Sequence, residues 1–315
     1  MKINDLIFKE LIKRGYSLEG KTRVWNIADS KLWYLTPNQA QKYLDLDKDA
    51  SYKKYTGQKQ GELLEEKNIN EIIEGIGRKV AINIVDLGCG DGTKAAKIMT
   101  LLKDRYQMRY CPIDISGYMV QKAIETISKL KIGDVIQAQY NISDFENLEN
   151  VTPLLKKGKF RKNVFLFLGN TLGNFEIHDI LYSIKSAMGE GDILIVDTAV
   201  DDKKQEERAR EYSKNKKLQD WLVHIPLQLG LKKEDVTFDV RFRNQRIEAY
   251  YIVNKDVTIK FQNKTLVFAK GDQIIVAIAY KHDKEDLKTY FNMHFGYVKM
   301  ILSDDKSKAL IICKK

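Results

Sequence analysis

Cysteine and histidine are scarce in this chain of 315 residues. The three cysteines, Cys89, Cys111 and Cys313, show no paired spacing, and the four histidines stand alone. Isolated histidines and cysteines exclude the usual ligand spacings of a metal site. Unpaired cysteines are typical of a reducing compartment, so we expect a cytoplasmic protein without a bound metal.

Long apolar runs are also missing. No stretch approaches the ~20 apolar residues of a membrane-spanning helix. The first residues, MKINDLIFKELIKRGYSLEG, carry acids between their apolar positions, which predicts a short amphipathic helix rather than a signal peptide. Internal repeats and low-complexity linkers are absent as well. The sequence is therefore that of an ordinary globular protein.

Positive charge exceeds negative charge, with 53 lysines and arginines against 43 acids, a net charge of +10. Such an excess is compatible with a polyanionic partner such as RNA. The excess, however, is mostly lysine spread along the chain, with short clusters such as Lys156–Lys162. Scattered lysine is typical of a solvated surface, so we do not expect nucleic acid to be a partner.

Between residues 81 and 197, short apolar runs alternate with stretches whose apolar residues recur at helical spacing. The runs predict strands at Ala81–Asp86, Arg109–Ile115, Val135–Tyr140, Asn163–Leu168 and Asp192–Asp197. Near-continuous apolar strands that alternate with helices predict a parallel sheet covered on both faces. Two C-terminal runs, Tyr297–Leu302 and Ala309–Cys313, predict a closing antiparallel hairpin.

The pattern changes after Val200. Asp201–Leu231 is charged and helical in propensity, whereas Asp235–Ala279 alternates polar and apolar residues between turn signals, as in an antiparallel meander. Residues 1–60 are rich in aromatics and too polar for a core of their own. We therefore predict a doubly wound α/β domain, residues 61–200 and 291–315, and an α+β auxiliary domain for substrate, residues 1–60 and 201–290.

The stretch IVDLGCGDGTK joins the first predicted strand to the next helix. The strand ends in Asp86, and the chain then turns through Gly88, Gly90 and Gly92. A dinucleotide fingerprint reads G-x-G-x-x-G, but here the spacing is G-x-G-x-G and Thr93 occupies the third dinucleotide position. The motif resembles the first motif of the class I S-adenosylmethionine (SAM) methyltransferases. An ordinary glycine-rich turn is the alternative.

Side chains that can hold such a cofactor follow the next two strands. Asp114 ends the second strand, where a carboxylate can accept hydrogen bonds from both ribose hydroxyls; a helix N-cap, for which Ser116 competes, is the alternative. Asp144 ends the third strand and can accept a hydrogen bond from the adenine amino group, with Phe145 beside the ring. An exposed loop acid is the alternative for Asp144. Carboxyl ends of parallel strands share one edge, so we expect these residues to converge.

The fourth strand runs into FLGNTLGNFE, which contains Gly169 and Asn174. Glycines and asparagines after a buried strand are typical of a loop between cofactor and substrate. The amide of Asn174 can orient a substrate there, and a helix cap before Glu176 is the alternative. The Asn/Asp-Pro-Pro-Tyr/Phe signature is absent, which argues against methylation of adenine in nucleic acid.

Several motifs, spaced in one order, resemble the histidine Nα-methyltransferases of ergothioneine biosynthesis, the EgtD-like family. They run from VDLGCGDGTK through IDIS, SDF, FLGNTLGNFE and GDILIVDTAVDD to RIEAYYIV and GDQIIVAIAYKH. The resemblance implies a class I methyltransferase fold, SAM as cofactor and N-methylation of a small amine. The implied reaction is an in-line displacement in which a neutral amine attacks the methyl group.

The resemblance also implies roles for individual residues. The cofactor would be bound by Gly88, Lys94, Asp114, Asp144 and Phe145, together with their neighbours Asp86, Gly90 and Gly169. Asn174 and Tyr212 would bind the amino and carboxylate groups of the acceptor, and Tyr52 or Tyr55 corresponds to a tyrosine-rich segment of the same pocket. The predicted catalytic residues are Asn174, Tyr212 and Tyr55.

Three positions depart from the family pattern. The family's glutamate and serine that read the imidazole of histidine are Ala277 and Ala279 here, and the methionine of its RIEM motif is Ala249. Losing both polar partners would cost a bound imidazole ~1–3 kcal/mol for each unmade hydrogen bond. We therefore expect the acceptor to be an amino acid or related small amine other than histidine. A protein or peptide amine, an RNA, and SAM binding without turnover are the alternatives.

Overall fold

The structure, a computed structural model, describes residues 3–56, 63, 66–77, 80–138, 141–142 and 145–315. The chain divides into two compact units: the first unit contains Met1–Tyr55 and Lys203–Tyr280, and the second contains Thr56–Asp202 and Lys281–Lys315. The predicted boundary at residues 290 and 291 lies ten residues further along the chain than the observed one. Among the described residues, no helix is both long and apolar enough to cross a membrane.

The second unit is built on a seven-stranded sheet. Numbered along the whole chain, its elements are α4 (Glu66–Ile76), β3 (Ala81–Leu87), α5 (Thr93–Leu102), β4 (Met108–Ile113), α6 (Gly117–Leu130), β5 (Asp134–Val135), α7 (Leu148–Leu155), β6 (Phe160–Phe167), α8 (Ile177–Ala187), β7 (Ile193–Ala199), α12 (Lys284–His294), β13 (Tyr297–Leu302) and β14 (Lys308–Lys314). The strand order is β13-β14-β7-β6-β3-β4-β5. Strand β14 is antiparallel to both neighbours, and the pairs from β7 to β5 are parallel. The predicted parallel sheet with a terminal antiparallel hairpin is confirmed.

Both faces of this sheet are covered by helices. Ile82 and Ile84 of β3 pack into a core formed with α4, α5 and α6, whereas Val85 and Leu87 pack into a second core formed with α7, α8 and α12. Side chains of a strand point alternately to opposite faces, so a strand buried on both faces must be apolar throughout. Leu287 and Phe291 place α12 in the second core, which explains why this helix belongs to the second unit.

The third predicted strand is wrong in length. Among the described residues, Asp134 and Val135 pair with β4, and Ile142 forms an isolated bridge to Asp114 beyond the end of that strand. Residues 139 and 140 of the predicted strand lie outside the described part of the chain. The chain then turns, because the Asn141 amide donates to the carbonyl of Pro112 at 2.6 Å and its oxygen accepts from the backbone N–H of Ala138 at 2.6 Å. A polar side chain that satisfies backbone groups in this way replaces the ladder that an extended strand would need.

The first unit combines helices with a mixed five-stranded sheet and a separate antiparallel hairpin. Its elements are α1 (Asp5–Arg14), β1 (Ser17–Glu19), β2 (Thr22–Asn26), α2 (Pro37–Asp47), α3 (Ala50–Thr56), α9 (Gln205–Lys214), α10 (Lys216–Leu222), α11 (His224–Leu229), β8 (Val236–Arg243), β9 (Arg246–Val253), β10 (Val257–Phe261), β11 (Lys264–Phe268) and β12 (Gln273–Tyr280). Five strands form one sheet in the order β1-β2-β12-β9-β8. The remaining pair, β10 and β11, is a separate hairpin, so the predicted meander is divided between two sheets.

The N-terminal segment is part of the first unit's core. Strand β2 pairs in parallel with β12. The buried carboxylate of Asp272 accepts hydrogen bonds from Arg23 Nε at 2.9 Å and from Trp25 Nε1 at 3.0 Å. Trp25 and Trp33 are buried in the same apolar cluster as Trp221. The aromatic residues that look out of place in a polar segment therefore complete a core whose other half is nearly two hundred residues away.

Asp192 offers a test of how the second unit is stabilised. Its buried carboxylate accepts from the backbone N–H groups of Asn163 at 2.9 Å and Gly189 at 2.8 Å, and it pairs with Lys156 at 2.9 Å. We expect Asp192→Ala to lower the free energy of unfolding by about 3 kcal/mol, because one buried and two partly buried donors lose their acceptor. Urea denaturation at neutral pH measures this change. The matched control is Asp134→Ala at an exposed position, and equal losses in both variants would contradict this account.

Candidate active site

The glycine turn follows β3 at the carboxyl edge of the parallel sheet. Gly88, Gly90 and Gly92 all have left-handed backbone conformations, with φ of +67°, +52° and +77°. Residues with a Cβ rarely adopt this region, so the turn requires glycine. A Cβ on Gly88 would lie 3.0 Å from Thr171 Cγ2, whereas a Cβ on Gly90 would meet nothing within 4 Å. The turn is therefore close-packed at its start and open at Gly90.

Asp114 lies against this turn. One of its carboxylate oxygens accepts from the backbone N–H of Gly90 at 3.3 Å, and the other accepts from the N–H of Ser116 at 3.0 Å. Burial raises the pKa of Asp114 to about 6, although these backbone donors favour the ionised form. The predicted carboxylate and the glycine turn thus form one local structure at the strand ends.

Asp86, the acid before the first glycine, faces a different group. Its buried carboxylate accepts a hydrogen bond from the hydroxyl of Tyr110 at 2.7 Å. Burial raises the pKa of Asp86 to about 7, and the Tyr110 hydroxyl and the charge of Lys94 act in the opposite direction. Asp86 therefore carries a proton for part of the time at neutral pH.

Lys94 of α5 and Gly169, in the loop after β6, lie next to each other. Gly169 has φ of +74°, and a Cβ built there would collide with Lys94 Nζ. The amino group of Lys94 thus lies directly over the glycine backbone. Any larger residue at position 169 would displace the lysine and strain the loop.

Asp197 is a further candidate for this site, and it was not predicted from the sequence. It lies in β7, its side chain is buried, and its Oδ2 has no hydrogen-bond partner among the described residues. Burial raises its pKa, while the charges of Lys94 and Lys308 and the backbone N–H of Gly169 lower it. The signal in the sequence is the acid that ends the apolar run DILIVD, the same pattern that Asp86 makes in β3.

Phe145 and Asn174 are two further predicted site residues of the second unit. The ring of Phe145 lies 5.3 Å from that of Phe175 between centroids, and its Cζ is 3.7 Å from the Cβ position of Gly88. Asn174 is half-buried and ends a short 3-10 helix, Gly169–Asn174. Asp144 lies outside the described residues, so its predicted role stays a prediction.

Apart from Asn174, the predicted acceptor residues lie in the first unit. Ala277 of β12 stands directly opposite Ala249 of β9, and Ala279 lies two residues further along the same face. All three pack in the apolar cluster that also contains Tyr52 and Tyr212. The rings of these two tyrosines lie 5.9 Å apart between centroids. Tyr55 belongs to α3, and its side chain lies outside the described part of the chain.

Tyr52 and Tyr212 keep their protons at neutral pH. Burial raises the pKa of Tyr212, and burial together with the neighbouring Tyr212 raises the pKa of Tyr52 well above its usual range. Their hydroxyls are therefore neutral hydrogen-bonding groups. The three alanines add no polar atom to this face of the sheet.

The strand order and the glycine turn at the carboxyl edge define the class I fold of the SAM-dependent methyltransferases. Residues 52–315 match the family model described as "Histidine-specific methyltransferase, SAM-dependent". The chain therefore belongs to this family of SAM-dependent enzymes, as the motifs in the sequence indicate.

Comparison with curated proteins finds similarity to the N-methyltransferase fsqC of Aspergillus fumigatus. The two chains are 28% identical over 203 residues, which cover 61% of this chain and 54% of the relative. The chain thus spans about half the length of the curated relative that it matches.

Two solved structures show a weaker similarity. A SAM-dependent methyltransferase from Clostridium acetobutylicum is 12% identical, with coverage of 78% of this chain and 88% of that one and a TM-score of 0.40. The DhpI-SAM-HEP complex is also 12% identical, with coverage of 89% and 94% and a TM-score of 0.42.

Asp114 offers a test of the cofactor site. We expect Asp114→Asn to weaken SAM binding at pH 8 by ~1.5–3 kcal/mol, the range for hydrogen bonds to a charged group. In the unaltered protein, affinity should also fall as the pH drops below about 6, because the carboxylate must lose a proton before it can accept both hydroxyls. The variant should lack this part of the pH dependence. Calorimetric titration measures both effects.

The matched control is Asp134→Asn, an exposed aspartate of the same unit. Its SAM affinity should follow that of the unaltered protein at each pH. Unchanged affinity in Asp114→Asn would remove Asp114 from the site.

Proposed function

We propose that the protein transfers a methyl group from SAM to the nitrogen of an amino acid or related small amine other than histidine. Two similarities support nitrogen as the acceptor atom. The family description names an amino acid as the acceptor, and the relative from Aspergillus fumigatus is named an N-methyltransferase. The proposal that histidine is not the acceptor rests on residues of this chain.

The cofactor side of the proposal rests on the second unit. The residues present fit SAM, because the turn is open at Gly90, Asp114 offers carboxylate oxygens for the ribose hydroxyls, and Phe145 offers an apolar ring beside Gly88. SAM, when bound, supplies a methyl group that its positively charged sulfur makes electrophilic. Buried carboxylates suit such a cation, since Asp86, Asp114 and Asp197 all lie in this unit and are all desolvated.

The acceptor side rests on one observation, the apolar face made by Ala249, Ala277 and Ala279. Ala277 and Ala249 are direct cross-strand partners, and Ala279 lies on the same face. An imidazole against this face would leave its N–H and its lone pair without partners from these three positions. An acceptor with an apolar or aromatic side chain loses no hydrogen bond there. This face therefore favours such an acceptor over histidine.

The remaining residues position the reactants. The half-buried amide of Asn174 can accept from an amine and donate to a carboxylate, as an amino-acid acceptor requires. The protonated hydroxyls of Tyr52 and Tyr212 can donate to a carboxylate. Alignment of the amine with the methyl group and exclusion of water supply most of the rate enhancement in such a transfer. An amine that is neutral near the working pH needs no strong base, and a water chain can take the proton that the methylated ammonium group then releases.

A screen for release of S-adenosylhomocysteine tests the proposal directly. The acceptors are histidine, amino acids with apolar and aromatic side chains, their decarboxylated amines, a peptide with a free amino terminus, and tRNA. We expect the highest kcat/KM with an amino acid or small amine other than histidine. A preference for the peptide or for tRNA would show that the acceptor is not a small amine. SAM binding without release of S-adenosylhomocysteine for any acceptor would indicate a protein that has lost turnover.

Asn174→Ala should separate methyl transfer from cofactor binding. We expect the rate with the best acceptor to fall by ~100-fold or more, because two hydrogen bonds to the acceptor, one of them to its charged carboxylate, are lost. SAM affinity should stay within about twofold, since Asn174 is not among the proposed cofactor contacts. Asn263→Ala, at an exposed turn position, is the control. A loss of SAM affinity as large as the loss of rate would place Asn174 in the cofactor site instead.

A further inference from the structure

A surface depression of about 670 Å³ lies at the amino-terminal edge of the seven-stranded sheet. Its lining includes Arg105, Lys159, Arg161, Lys162 and Glu190. These residues come from three segments, which precede or begin β4, β6 and β7. The glycine turn lies at the opposite ends of the strands, and a strand of six residues is roughly 20 Å long. The depression is therefore separate from the candidate active site.

The cations around the depression are not neutralised by protein carboxylates. Arg105, Lys159 and Arg161 have no ion-pair partner in the part of the chain that the structure describes. Lys156, by contrast, is paired with Asp192 at 2.9 Å and lies outside the lining. Four positive charges thus face one carboxylate, that of Glu190.

The surroundings of Lys162 also contain more positive than negative charge. Its Nζ donates to the backbone carbonyl of Ile76 at 2.7 Å, which holds the side chain in place. Burial lowers its pKa, and the charge of Lys314 lowers it further, while the opposing charges of Asp192 and Lys156 raise it and lower it, respectively. An anion beside Lys162 would offset this repulsion and favour the protonated amine.

We propose that this depression binds a small, multiply charged anion of the polyphosphate class. Phosphoryl oxygens accept several hydrogen bonds at once. The two arginines supply planar guanidinium groups that can donate two parallel hydrogen bonds, and the two lysines supply compact ammonium groups. A volume of about 670 Å³ is in the range of small-molecule sites. The site lies wholly within the second unit.

The lining favours a small anion over a nucleic acid. Proteins that bind single strands usually offer exposed aromatic rings on which bases stack. The lining contains no aromatic residue among those described. The ring of Phe160, next to Lys159 and Arg161 in the chain, is buried, with Arg109 at 4.3 Å and Lys159 at 5.5 Å from its centroid. A concave depression lined by cations without ion-pair partners among the described residues suits a compact polyanion.

Inorganic triphosphate is the probe for this site. Isothermal titration of the full chain at roughly physiological salt should show saturable binding, and the affinity should fall as salt rises. The double variant Lys159→Gln with Arg161→Gln should bind about tenfold more weakly, because two charged hydrogen-bond donors are removed. The control, Lys264→Gln with Arg210→Gln, removes the same charge from exposed positions of the first unit and should bind like the unaltered protein.

Further measurements make the outcome decisive. Saturating S-adenosylhomocysteine should leave triphosphate affinity unchanged, and thermal unfolding should show that both double variants fold. The proposal is overturned by an absence of saturable binding, by equal weakening in the two double variants, or by competition with S-adenosylhomocysteine. Tighter binding of tRNA than of triphosphate, lost in the first double variant, would make the depression a nucleic-acid surface instead.

Discussion

The pairing of β3 between β4 and β6 is the constraint on which the candidate site depends. Parallel partners on both sides hold the end of β3 in place, and the backbone N–H of Gly88 donates to the carbonyl of Ile113 at 2.8 Å. The next polar contact, from Gly90 to Asp114, links the turn to the end of β4. A left-handed glycine turn in this position has little freedom to move. The sheet thus fixes the geometry of the carboxylate relative to the turn before any ligand arrives.

Burial of acids is the energetic cost of this arrangement. The pKa values of Asp86 and Asp114 are raised to about 7 and about 6, and that of Asp197 is raised as well, in each case mainly by desolvation. An acid whose pKa is higher in the folded state holds its proton there at pH values at which the unfolded chain has lost it. Stability without ligand therefore falls as the pH rises from about 4, the ordinary pKa, towards about 7. We propose that a cationic ligand offsets this cost.

Much of this site is predictable from local sequence. Apolar runs identify the strands of the sheet, and glycine spacing with Asp114 identifies the turn and its partner, because these features depend on residues close together in the chain. Asp197 was not predicted, because no glycine motif adjoins it and the sequence marks it only as the acid that ends an apolar run. The third strand was wrong because one side chain, Asn141, turns the backbone earlier than the apolar pattern indicates.

Long-range packing is the part that the sequence does not reveal. The N-terminal segment joins the first unit through β2 and Asp272, contacts between residues nearly 250 positions apart. The depression at the amino-terminal edge likewise gathers Arg105 with Lys159, Arg161 and Lys162, whereas the sequence alone suggests a dispersed, solvated charge. Such groupings arise from topology, and no periodicity or motif in one segment reports them.

In the function that we propose, Ala277 and Ala279 determine which acceptor is methylated. The most direct measurement is the ratio of kcat/KM for histidine to that for the best apolar or aromatic amino acid, in the unaltered protein and in Ala277→Glu with Ala279→Ser. Each restored hydrogen bond is worth ~1 kcal/mol, so the ratio should rise by about tenfold or more. The exposed pair Thr258→Glu with Thr265→Ser, a control with the same charge change, should leave the ratio unchanged. Efficient histidine methylation by the unaltered protein would contradict the claim.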